Sequence, residues 1–172
     1  MERREGLSLN EWAVLACLVE RPRHGYDIAS ELAPAAPLGA VWRVSRPLVY
    51  RALDRLGALS LAKAEQAEPG EGGPPRQVFG PTPAGRARLA AWLEDPVGHL
   101  RDVRGALLLK LVVAERLAVD PAPLLDAQRD RFAAPLASLA QMPPRGDVAA
   151  LWRHHSAAAV QAFLDDLPTA RD

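Results

Sequence analysis

The sequence predicts a mainly α-helical fold with one small β element. Apolar residues recur at three- and four-residue spacing in most segments, which is the period of an amphipathic helix. One stretch departs from this pattern. After a glycine- and proline-rich run at 69–75, residues 76–79 alternate between polar and apolar, as a strand of an exposed ribbon does. Hydrophobic residues make up 49% of the chain and charged residues 24%, which favours a globular protein over a disordered one.

Three helices with short connections are predicted at the start of the chain. The first begins at Ser8, where Ser-Leu-Asn-Glu has the form of a capping box, and it ends at residues 21–22. The second is short and covers 24–32, and the prolines that follow it are expected to stop it. Residues 39–44 are expected to be a connection to the third helix.

The third helix, 45–59, carries the main functional signal. Ser45 can cap it, and Pro47 is tolerated in a first turn, where backbone N–H groups lack partners. Its buried face is predicted to consist of Val49, Ala52, Leu53 and Leu56. The other side is predicted to carry Arg46, Tyr50, Arg51 and Asp54, with Arg55 at its margin. Four arginines against one aspartate between 43 and 55, in a chain of zero net charge, suit the major groove of DNA. The alternative is an ordinary solvated helix face.

The segment after the third helix predicts a wing. A short strand is expected at 60–66, followed by a loop at 69–75 and the alternating strand. A basic helix followed by a hairpin describes a winged helix-turn-helix, and the alternative is a plain β-hairpin with a disordered tip. A fourth helix is predicted from residues 82–83, because a threonine cap precedes a first-turn proline. We expect a DNA-binding domain over 1–97.

The remainder, 98–172, is predicted to be a three-helix dimerisation domain and a candidate effector domain. The first helix, 102–117, is apolar on most of its circumference. Pro135 is expected to kink or interrupt the second helix. The third helix is predicted to align Trp152, Val160, Phe163, Leu164 and Leu167 along one stripe. Because so small a domain cannot enclose the first of these helices alone, we predict a homodimer formed mainly by the C-terminal helices.

Composition and motifs argue against several other classes of protein. A single cysteine, Cys17, excludes an intrachain disulfide and fits a reducing, cytoplasmic environment. No apolar run is long enough to span a bilayer, so no membrane association is expected. No His or Cys pair has metal-ligand spacing, and no phosphate-binding glycine loop or catalytic triad order is visible. We therefore expect no cofactor, no metal and no enzymatic activity.

The order of these features resembles the PadR-type transcriptional regulators. The matching residues cover most of 12–93, and they are 15–28, 41–45, 48–56, 73–79 and 82–86. The C-terminal part, with Leu109-Lys110-Leu111 near its start, resembles the helical dimerisation region of family members with a long tail. The resemblance implies a dimeric winged-helix repressor that binds a palindromic double-stranded DNA operator and releases it when a small molecule binds.

The resemblance also implies which residues face DNA. Carried over by position, they are Tyr26, Ser45, Arg46, Pro47, Tyr50 and Arg51, with Arg76 at the wing. The arginine pattern of the third helix adds Arg55. For a small hydrophobic or aromatic effector, the candidates are Trp12, Trp92, Trp152 and His155, although plain core packing is the alternative for each tryptophan. A winged-helix adaptor that binds proteins and not DNA stays open as a second function.

Overall fold

The structure, a computed structural model, describes residues 6–70, 73–141 and 147–167, and within 66–70 and 73–76 it describes the backbone only. These residues form a mainly α-helical fold with a small antiparallel sheet of three strands, which confirms the predicted class. The chain divides into two compact units, one that ends at Trp92 and one that begins at Leu93. In the described ranges, no helix is both long enough and apolar enough to cross a membrane.

The first unit combines five helices with the sheet. Its elements are α1 (Leu9–Glu20), β1 (Arg23–His24), α2 (Gly25–Glu31), α3 (Pro37–Val41), α4 (Arg46–Ala58), β2 (Ala62–Gly70), β3 (Gly73–Pro81) and α5 (Pro83–Glu94). The predicted capping box begins α1, since the amide of Glu11 donates to Ser8 Oγ and the amide of Ser8 donates to the Glu11 carboxylate. At the start of α5, the amide of Gly85 donates to Thr82 Oγ1 at 3.0 Å. Both helix starts were therefore correctly predicted from side-chain chemistry.

Helix α4 is amphipathic as predicted. It packs against α1 and α2. Its buried residues are Val49, Ala52, Leu53 and Leu56. The surrounding core is formed by Leu15, Leu18, Ile28, Leu32, Leu38 and Leu89. Because the apolar face of α4 is fixed on this core, its polar face is held towards solvent.

The sheet has the strand order β1-β3-β2, and all pairs are antiparallel. Residues 69–75 were predicted to be a loop, and this prediction is wrong for most of the run, because β2 extends to Gly70 and β3 begins at Gly73. The register shifts between the Glu68–Arg76 and Gly70–Gly73 pairs. The three prolines of the run fall at this irregularity, where a ladder N–H is not required.

Helix α3 was not predicted. Residues 39–44 were predicted to be a connection, but Pro37–Val41 is helical, with Pro37 in the first turn. A proline that stops one helix can also start the next, because its fixed φ suits a first turn. Gly39 permits a close approach here, since a Cβ at this position would lie 1.9 Å from the carbonyl oxygen of Ala33.

The second unit is helical in all its described elements. It contains a 3₁₀ turn (Leu100–Asp102), a π-helical segment (Val103–Leu107), α6 (Leu108–Arg116), α7 (Ala122–Gln141) and α8 (Val148–Asp165). Its core consists of Val97, Val103, Leu107, Leu124, Leu125, Phe132, Leu136, Ala157 and Leu164. The region 102–117, predicted to be one regular α-helix, therefore begins with a 3₁₀ turn and a π-helical segment. Helix α7 runs uninterrupted through Pro135. A proline cannot donate to the carbonyl four residues earlier in the helix, and because Pro135 is exposed, that carbonyl lies on the solvent side.

The apolar helix around Leu109 needs less covering than we expected. Leu109 and Val113 are buried within the chain itself, and Leu108 and Leu111 are half-buried. Helix α6 has only nine residues, so the rest of the same chain is able to cover most of it. Large exposed apolar side chains of this unit lie mainly on α8 instead, where Trp152 is 72% exposed.

Two buried polar side chains bind backbone atoms in this unit. Gln128, fully buried on α7, accepts a hydrogen bond from the amide of Val97 at 2.7 Å and donates one to its carbonyl at 3.1 Å. Lys110 donates to the backbone carbonyl of Asp95. Burial lowers the pKa of Lys110 to about 8, and the negative charge of Asp95 opposes this shift.

Candidate nucleic-acid interface

The N-terminus of α4 is the centre of the predicted interface. Ser45 occupies the N-cap position, and its backbone carbonyl accepts hydrogen bonds from the amides of Leu48 and Val49. The Ser45 side chain makes no capping hydrogen bond, so the predicted capping role of its hydroxyl is wrong. Ser45 is exposed, and the hydroxyl therefore stands at a helix N-terminus, the end that favours an anion.

Tyr50 is positioned by a glycine of the neighbouring helix. Its ring lies against Gly25, the first residue of α2, where an added Cβ would be 2.8 Å from Tyr50 Cε1 and 3.0 Å from Cζ. Any larger residue would push the ring away from this place. Tyr50 is 40% exposed, so its ring is supported from one side while its other side faces solvent.

Tyr26 and Arg46 lie next to each other beside this ring. The guanidinium carbon of Arg46 is 5.2 Å from the centroid of the Tyr26 ring, which is a cation–π contact. Tyr26 is 55% exposed. The stacking restricts the arginine side chain and holds it beside Tyr26 at the start of α4.

A shallow cavity of about 330 Å³ joins these residues. It is lined by His24, Gly25, Tyr26, Arg46, Tyr50, Gln77 and Phe79. Three predicted residues from two separate segments, Tyr26 on α2 and Arg46 and Tyr50 on α4, thus come together at one site that also includes residues of β3. The cavity is open, and its walls include the hydroxyl groups of Tyr26 and Tyr50 and the guanidinium of Arg46, which are donors that phosphates and base edges accept from.

Sequence reasoning missed His24 and Gln77. His24 Nδ1 lies 3.3 Å from the carbonyl oxygen of Gln77, across the β1–β3 pair. The Gln77 side chain donates to the carbonyl of Glu65 at 2.6 Å. A two-residue strand has no periodicity to detect, and the extended Pro-Arg-His segment before Gly25 was the only available signal.

The neighbouring Arg23 has a structural role. It is 4% exposed, and its guanidinium lies 2.7 Å from Glu20 and 3.5 Å from Glu31. These contacts hold β1 between the end of α1 and α2. They thereby fix His24 at the edge of the cavity.

The other predicted DNA-facing residues are not among those that line this cavity. Pro47, Arg51 and Arg55 are exposed on α4. Arg76 pairs with Glu68 in the β2–β3 register, and its side chain lies outside the part of the chain that the structure describes. Arg51 is one residue beyond Tyr50, so its side chain leaves the helix about 100° from that of Tyr50.

The predicted effector residues occupy two different environments. Trp12 and Trp92, in the first unit, stack on each other with ring centroids 4.7 Å apart and planes 13° apart. Trp152 and His155 are exposed on α8 in the second unit. Trp152 lines a cavity of about 760 Å³ there, whereas His155 is not among its lining residues. For the described residues, no group of three or more His, Cys, Asp and Glu side chains is arranged to hold a metal ion.

Comparison with known proteins gives a consistent set of matches. Residues 14–91 match the "Transcriptional regulator PadR-like family". A probable transcriptional regulator of Mycobacterium tuberculosis is 28% identical over 96 residues, which cover 56% of this chain and 49% of that protein, so the chain spans about half the length of this curated relative.

Solved structures of PadR-like proteins match as well. A PadR-like transcription factor from Bacteroides fragilis is 26% identical, with 47% of this chain and 73% of that chain covered and a TM-score of 0.40. Bacillus subtilis PadR in complex with operator DNA is 18% identical, with 92% and 96% covered and a TM-score of 0.47. The same protein in complex with p-coumaric acid is 17% identical, with 96% and 100% covered and a TM-score of 0.44.

Proposed function

We propose that this chain, whose residues 14–91 match the PadR-like family of transcriptional regulators, is a sequence-specific regulator that binds double-stranded DNA. The observation that carries the proposal is the convergence of Tyr26, Arg46 and Tyr50 on one open cavity at the start of α4. These side chains come from two helices, and each is exposed.

The side chains of this interface divide into two kinds of contact. Tyr26, Ser45 and Tyr50 would donate hydrogen bonds to phosphate oxygens and so fix the position of α4 on the duplex. Arg46 and Arg51 would reach either phosphates or the O6 and N7 atoms of guanine in the major groove. Pro47 would contact the backbone sugar without donating.

Three further residues complete the interface. Arg55, one turn beyond Arg51, would meet the phosphates that flank the groove. Arg76 would contact the backbone or the minor groove from the wing. His24, at the edge of the cavity, would lie beside the same stretch of DNA backbone. Phosphate contacts set affinity and position, whereas the arginines that reach base edges set the sequence preference.

We propose a homodimer of this chain as the active form, with 1–97 as the DNA-binding domain and 98–172 as the dimerisation and effector domain. Two copies of α4 related by a twofold axis would read a palindromic operator, with half-sites about 34 Å apart along the duplex. The protein would act as a cytoplasmic repressor, and a small hydrophobic or aromatic effector would release it from DNA.

The experiment is a titration of purified protein against duplex fragments from the DNA upstream of its own gene, followed by fluorescence anisotropy. Specific binding should weaken by about a thousandfold or more between about 50 and 200 mM salt, because phosphate contacts release counterions. Arg51→Ala tests the interface, and Arg88→Ala, an exposed arginine on α5, is the matched control. If no fragment binds at either salt concentration, the adaptor function that the zero net charge also permits replaces this proposal.

A further inference from the structure

Leu48 is an exposed apolar residue in the first turn of α4. It is the third residue of this helix, and its amide donates to the backbone carbonyl of Ser45 at 2.9 Å, so its backbone is fixed in that turn. Its side chain is 37% exposed, whereas the neighbouring Val49 is fully buried. Isolated exposed leucines are common on protein surfaces, so the position of this one decides what it can do.

Leu48 lies on the side of α4 that carries two exposed arginines. At about 100° per residue, the side chain of Arg55 leaves the helix about 20° from that of Leu48, and the side chain of Arg51 leaves it about 60° away. Arg46 and Tyr50 leave α4 about 160° from Leu48, at the edge where they line the cavity of about 330 Å³. The helix therefore has two different edges, one that carries the cavity and one formed by Leu48, Arg51 and Arg55.

An apolar side chain at this place has one matching group in the major groove. The base edges there present hydrogen-bond donors and acceptors, and the C5-methyl group of thymine is the apolar exception. A leucine that covers a donor or an acceptor removes it from water without replacing its hydrogen bond, which is unfavourable. A leucine that covers the methyl group takes apolar surface out of water, which is favourable. Since the N-terminal residues of a recognition helix are those that contact base edges, Leu48 stands where this selection operates.

We propose that Leu48 contacts the C5-methyl group of a thymine and thereby makes one T·A pair in each operator half-site a determinant of binding. Arg51 and Arg55, on the same edge of α4, would contact phosphates or guanines beside that thymine. The proposal rests on the proposed function, since it needs α4 to lie in the major groove. It adds an apolar criterion to a sequence preference that otherwise depends on hydrogen bonds.

The test replaces single thymines of the DNA by deoxyuridine, which pairs in the same way and lacks only the C5-methyl group. Each thymine of the upstream fragment that binds most tightly is replaced in turn, and Kd is measured by fluorescence anisotropy at one salt concentration. One thymine per half-site should be sensitive, with Kd raised by about fourfold, and replacement in both half-sites should raise Kd by about fifteenfold. At the same position, 5-methylcytosine should bind about fourfold more tightly than cytosine.

Leucine variants assign this effect to one side chain. Leu48→Ala should bind the thymine and deoxyuridine duplexes alike, with the Kd that the original protein has for the duplex substituted in both half-sites. Leu48→Met keeps an apolar side chain and should keep the difference between the two duplexes. Leu59→Ala is the matched control, because Leu59 is also 37% exposed and lies about 20° from Leu48 around α4 but about 16 Å farther along it. This control should keep the full difference.

The outcomes separate this proposal from the proposed function. A deoxyuridine effect of the same size in Leu48→Ala would overturn the proposal, because DNA shape or another residue would then detect the methyl group. Loss of all binding in Leu48→Ala, or loss of the difference in Leu59→Ala, would overturn it as well. Equal Kd values for thymine and deoxyuridine at every position would overturn it while the proposed function stands. Failure of every fragment to bind the original protein would overturn both.

Discussion

Replacing Gly25 by alanine should weaken DNA binding without unfolding the protein. The new methyl group would lie 2.8 Å from Tyr50 Cε1, and since carbon atoms pack at about 3.5 Å or more, the ring must withdraw by about 0.7 Å. Such a shift carries the Tyr50 hydroxyl out of the distance range of an O–H···O hydrogen bond to phosphate. A hydrogen bond to a charged group contributes about 1.5–3 kcal/mol, so Kd should rise by about 10- to 150-fold.

The free energy of unfolding should change by less than about 1 kcal/mol, because Tyr50 is partly exposed and alanine is a better helix former than glycine by about that amount. The assay is anisotropy of a labelled duplex, with urea unfolding measured in parallel. Gly57→Ala is the matched control, since a Cβ added at this position of α4 meets nothing within 4 Å.

A double-substitution cycle isolates the cause. In the Tyr50→Ala background, Gly25→Ala should have no further effect on Kd, since its effect passes through the displaced ring. The same loss of affinity in both backgrounds would refute the reasoning. So would an unchanged Kd for Gly25→Ala alone.

Three further predictions concern single side chains. If Arg51 contacts a guanine, Arg51→Ala should weaken binding to duplexes that contain this base pair by about 1–3 kcal/mol. An equal loss for every duplex in an anisotropy series would show that Arg51 contacts phosphate. Gln128→Leu should lower the free energy of unfolding in urea by about 2–4 kcal/mol, because the amide and carbonyl of Val97 lose their buried partners. Gln161→Leu, at an exposed position, is the control. An equal loss of stability in the two variants would contradict this account. Burial lowers the pKa of Lys110 to about 8 from 10.5, so between these pH values the unfolded chain binds more protons than the folded one. The free energy of unfolding should therefore rise with pH over this range by up to about 3 kcal/mol. Lys110→Met should lack this rise in chemical unfolding, and the same pH profile for the variant and the original protein would contradict the reasoning.

The parts of the fold that local chemistry determines could be predicted from the sequence. The apolar spacing of α4 gave its buried face, and the capping residues Ser8 and Thr82 gave the starts of α1 and α5. In each case the information lies within four residues along the chain.

Strands and cavity residues whose positions depend on pairing between distant segments of the chain could not be predicted. Strand β1 exists only because Arg23 and His24 pair with residues of β3 more than fifty positions later. The cavity residue Gln77 reaches its place through the same pairing. The two unusual turns before α6 form where the helix buries Val103 and Leu107 in the core, and no local pattern in the sequence marks that requirement.

The stacked pair of Trp12 and Trp92 gives the first unit an optical signature of its own. Two stacked indoles with centroids 4.7 Å apart have coupled electronic transitions, which produce a paired positive and negative band in circular dichroism wherever the two transition dipoles are rotated against each other. Trp152, exposed on α8, should emit at the red-shifted wavelength of an indole in water. Loss of the paired band and a change in this emission can therefore be followed in one melting experiment, and any difference between their midpoints would measure how independently the two units unfold.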